Sequence, residues 1–63
     1  MLYLSEILLK NPTLENFQQL IDKVKDAARE GELFFSMDVK PQYPDSPHDW
    51  EDKLESAFNG SLD

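Results

Sequence analysis

A mainly α-helical chain, with two or three short helices and one extended segment between the last two, is predicted by three observations. Apolar residues recur at helical spacing from Leu14 to Ala28 and again from Trp50 to Phe58. Only Leu33 to Val39 alternates, and it lies between Gly31 and Pro41.

The first element is LSEILLKNP. Ser5 is placed to cap a helix from Glu6 to about Lys10, with Leu4 stapling against Leu9 across the cap. Asn11-Pro12 ends it, because proline disfavours helical geometry at the residue before it. Thr13 is then the expected N-cap of a second helix from Leu14 to Glu30. There Leu14, Phe17, Leu20, Ile21, Val24 and Ala28 make one apolar stripe, and Gln18, Asp22, Lys25 and Arg29 face away. Lys25 and Arg29 suit the negative end of the helix dipole, and Gly31 supplies a left-handed residue beyond it.

In ELFFSMDVKP, Leu33, Phe35, Met37 and Val39 alternate as in a strand, while Leu33, Phe34 and Met37 also fit one helix face. Gly31 before the run and Pro41 after it favour the extended form. Phe34 and Phe35 would then point to opposite faces, which one thin layer cannot cover without a second chain or a partner. Pro41, Pro44 and Pro47, with Asp45 and Ser46 among them, make a loop. The last helix is expected to open at SPHD, with Ser46 as N-cap, Pro47 at the first helical position and Asp49 completing a capping box. Trp50, Leu54, Ala57 and Phe58 share its inner face, and it ends near Asn59-Gly60. Phe17, Leu20, Ile21, Val24, Leu54 and Phe58 are the predicted main core, in which Trp50 packs on the second helix.

Sixty-three residues are read as a single small domain over 1–63, with 60–63 as a frayed tail. Burial of apolar surface contributes roughly 95 kcal/mol and ordering the chain costs about the same. Without cysteine no disulfide can tilt that balance, so self-association as a homodimer is expected. The 33–39 edge would be covered by the same segment, or a helix, of a second subunit, Leu2 to Leu4 being the only internal candidate to pair with it.

The charge is divided unevenly. Residues 1–29 carry four acids and four bases, whereas Glu30 to Asp63 carry nine acids against Lys40 and Lys53, and so hold the whole net charge of −7. A basic face for nucleic acid or anionic membrane is excluded, because phosphate attraction supplies most non-specific affinity. The absence of a long apolar run or a basic leader implies a soluble, cytoplasmic protein with no membrane partner. The expected partner is a protein.

Chemistry is sparse. One histidine, no cysteine and no glycine-rich loop predict no enzyme, no catalytic residue and no cofactor. His48 and Asp52 stand one helical turn apart among other acids. A solvated helix start explains them better than a metal site, so no metal ligand is assigned. Candidate partner-binding residues are Phe34, Phe35, Asp49, Trp50, Glu51, Asp52 and Glu55: an aromatic pair on the extended segment and a carboxylate-flanked aromatic on the last helix.

In size, lack of cysteine and the paired amphipathic segments TLENFQQLIDKVKDAARE and SPHDWEDKLESAF, the chain resembles small accessory proteins encoded in early regions of lambda-like phages, of the exo-xis type. The resemblance is one of size and texture and carries over no site residue. It implies a helical, non-enzymatic early protein, in the host cytoplasm, that shifts host or phage development by binding a protein. The expected function is therefore a protein-interaction module. The alternative is an acidic DNA mimic that occupies the basic cleft of a nucleic-acid-binding protein.

Overall fold

The computed structural model describes residues 1–60, in the order β1 (Leu2–Tyr3), α1 (Leu4–Lys10), α2 (Phe17–Arg29), β2 (Phe35–Ser36) and α3 (Trp50–Gly60). The fold is mainly α, with short helices. The N-terminal residues supply the strand that β2 pairs with. β1 and β2 run parallel, Leu2 opposite Phe35 and Tyr3 opposite Ser36, and the Leu2 N–H donates to the Phe34 carbonyl at 2.8 Å. The extended reading of 33–39 thus holds, with a two-residue strand at its centre, and the pairing strand comes from within the chain.

α2 packs on α3. Phe17, Leu20, Val24 and Ala28 from one helix meet Leu54, Ala57 and Phe58 from the other, while Leu2, Leu4 and Ile7 close the core from the N-terminal side. Five of the six predicted core residues are buried, and Ile21 sits at the core's edge. The N-terminal contribution escaped prediction because β1 and α1 are each too short to show a period. The stacking of Phe35 on Phe58, with ring centroids 5.3 Å apart, seats the sheet on α3.

All three helix starts differ from the sequence reading. α1 begins at Leu4, with Tyr3 at the N-cap and no capping side chain of its own. Ser5 lies inside the first turn, where its N–H and hydroxyl donate to Asp38 at 3.0 and 2.6 Å. The Leu4–Leu9 staple does not form, since Leu9 is 81% exposed. α2 is capped by Asn16 rather than Thr13, its side chain accepting from the Gln19 N–H, while the Gln19 side-chain Oε1 accepts from the Glu15 N–H at 2.7 Å. This is close to a reciprocal capping box. The Phe17 N–H also donates to the Asp45 carboxylate at 2.9 and 3.1 Å. α3 starts at Trp50, and the Asp49 carbonyl takes its first backbone bond from the Lys53 N–H. Ser46 caps nothing: its hydroxyl is buried without a hydrogen-bond partner among the described residues.

The far end of α2 follows expectation. Gly31, at φ +111°, turns the chain out of the helix. The N–H groups of Gly31 and Glu32 donate to the carbonyls of Ala28 and Ala27, the bond pattern of a Schellman motif. Gly60, assigned to a frayed tail, is the last residue of α3, and residues 61–63 of that tail lie outside the described residues.

The irregular stretch between β2 and α3 is held at three points. Asp38 binds the start of α1, Pro41 is fully buried, and Asp45 binds the start of α2. Two carboxylates thus supply partners for N–H groups that a helix start leaves free.

Candidate functional site

α3 carries the acidic part of the candidate site. Leu54, Ala57 and Phe58 turn inward, which leaves Asp49, Glu51, Asp52 and Glu55 exposed on and beside the outer face. The ion pairs among the described residues are Lys10–Glu6 and Arg29–Asp26, so none of these four carboxylates has a cationic partner. Glu51 and Asp52 lie in the first turn, where the helix dipole favours acids. Glu55 has no such reason to be acidic. It stands four residues from Glu51 and three from Asp52, spacings at which like charges repel by a few tenths of a kcal/mol.

Trp50 is half-buried, packed on the edge of the core. Its ring borders a shallow recess of about 240 Å³ shared with Lys40, Ser46, Pro47 and His48. A tryptophan flanked by unpaired carboxylates offers an apolar contact and a ring of acceptors to an incoming cationic side chain.

The two phenylalanines separate as alternation requires. Phe35 faces inward and stacks on Phe58, whereas Phe34 faces outward and is 65% exposed. The structure does not bring Phe34 together with the α3 carboxylates. Phe35 and its stacking partner lie between them, so the candidate residues fall on two surfaces. Tyr3, opposite Ser36 and so on the same side of the pair as Phe34, is also exposed and was not singled out from the sequence. Their neighbourhood depends on the β1–β2 register, which no local pattern encodes.

The remaining concavities suggest little chemistry. One, of about 520 Å³, lies between α1 and α2 and is bordered by the mixed charges of Glu6, Lys10, Lys23, Asp26, Glu30 and Glu32. A smaller apolar groove is formed by Leu8, Leu9, Val39 and Tyr43, where burial pushes the Tyr43 hydroxyl pKa up. Among the described residues there is no group of three or more His, Asp or Glu side chains able to hold a metal ion. No helix among them is long and apolar enough to cross a membrane. Comparison with protein families, with characterised proteins and with solved structures finds no match to this chain.

Proposed function

We propose that this chain is a non-enzymatic protein-interaction module that recognises a basic segment of another protein through α3. The observation that carries this reading is the set of exposed, unpaired carboxylates at Asp49, Glu51, Asp52 and Glu55 around the half-buried Trp50. Crowding like charges on a short helix weakens the free protein slightly, and a cationic partner converts that repulsion into attraction. In keeping with the phage early-region resemblance, the partner would be a host or phage protein whose activity the contact shifts.

The DNA-mimic alternative needs the acids beyond Arg29 as a free, phosphate-like array. Asp38 and Asp45 instead hold helix starts, which favours a partner contact confined to α3.

Trp50 is the only tryptophan, so its emission reports the start of α3 without interference from another tryptophan. Titration with a lysine- and arginine-rich amphipathic peptide is expected to shift its emission at low salt. The affinity should fall about tenfold or more as salt is raised through the physiological range. A Glu51→Gln, Asp52→Asn, Glu55→Gln variant should retain its circular dichroism and lose the response. Equal affinity in that variant, or an affinity indifferent to salt, contradicts the proposal.

A further inference from the structure

We draw no further inference here: the strongest candidate, the open apolar groove that Leu8 and Leu9 of α1 form with Val39 and Tyr43 of the irregular stretch after β2, is an unpartnered face, and nothing in the structure shows what covers it.

Discussion

Asp38 and Asp45 show how much single side chains decide in a chain this small. Neither can be recognised from sequence as a helix cap, because each serves a helix far from it in the chain: Asp38 reaches back 33 residues and Asp45 reaches back 28. The Ser5 hydroxyl, and then the Ser5 N–H, hold the Asp38 carboxyl below its ordinary pKa of 3.8. A group whose folded pKa is depressed stabilises the fold above the unfolded value, and that contribution disappears as pH falls through the folded value. The expected outcome is a melting temperature that drops more steeply below about pH 4 in the unaltered chain than in Asp38→Ala, which has already lost the link. Parallel curves for the two proteins in an acid thermal-melting series would show that the link contributes nothing. In the core, Leu20 is fully buried where α2 meets α3. Leu20→Ala should cost about 2 to 5 kcal/mol, seen as a large fall in melting temperature.

Among the elements, α2 was the most legible. Its stripe, its basic last turn and Gly31 are local signals, and the helix formed between nearly the expected limits. Its start shifted from Thr13 to Asn16 because Asn16, Gln19 and Asp45 together satisfy the first N–H groups better than Thr13 alone. Gly31 has open space where a Cβ would sit, so Gly31→Ala should be strained by its positive φ alone, costing about 1 kcal/mol in denaturant unfolding. α3 was read correctly on its inner face and wrongly at its start: Asp49 replaces Ser46 at the boundary. β1 is too short to show a period, but Leu2 to Leu4 was the one internal candidate to pair with the 33–39 segment, and Leu2–Tyr3 does pair with it. The acids of the candidate site could be read from α3 alone. The company that Phe34 keeps could not, because it depends on the pairing of β1 with β2.

Taken as a whole, the molecule has a radius of gyration of 10.6 Å, which matches the roughly 10.6 Å expected of a folded chain of this length. A second subunit is therefore not needed to make the chain compact. Its polarity is the more telling property. Carboxylates without a cationic partner occupy α3, and the exposed side chains of Tyr3 and Phe34 lie across the sheet from it, with Phe35 and Phe58 stacked between.

Two-dimensional amide NMR of the full chain observes both surfaces in one experiment. Addition of the basic amphipathic peptide at fixed protein concentration is expected to move the resonances of residues 49–55 and the Trp50 indole, and to leave Tyr3 and Phe34 in place. Peptide-induced shifts centred on Tyr3 and Phe34, with the α3 amides unmoved, would contradict the account.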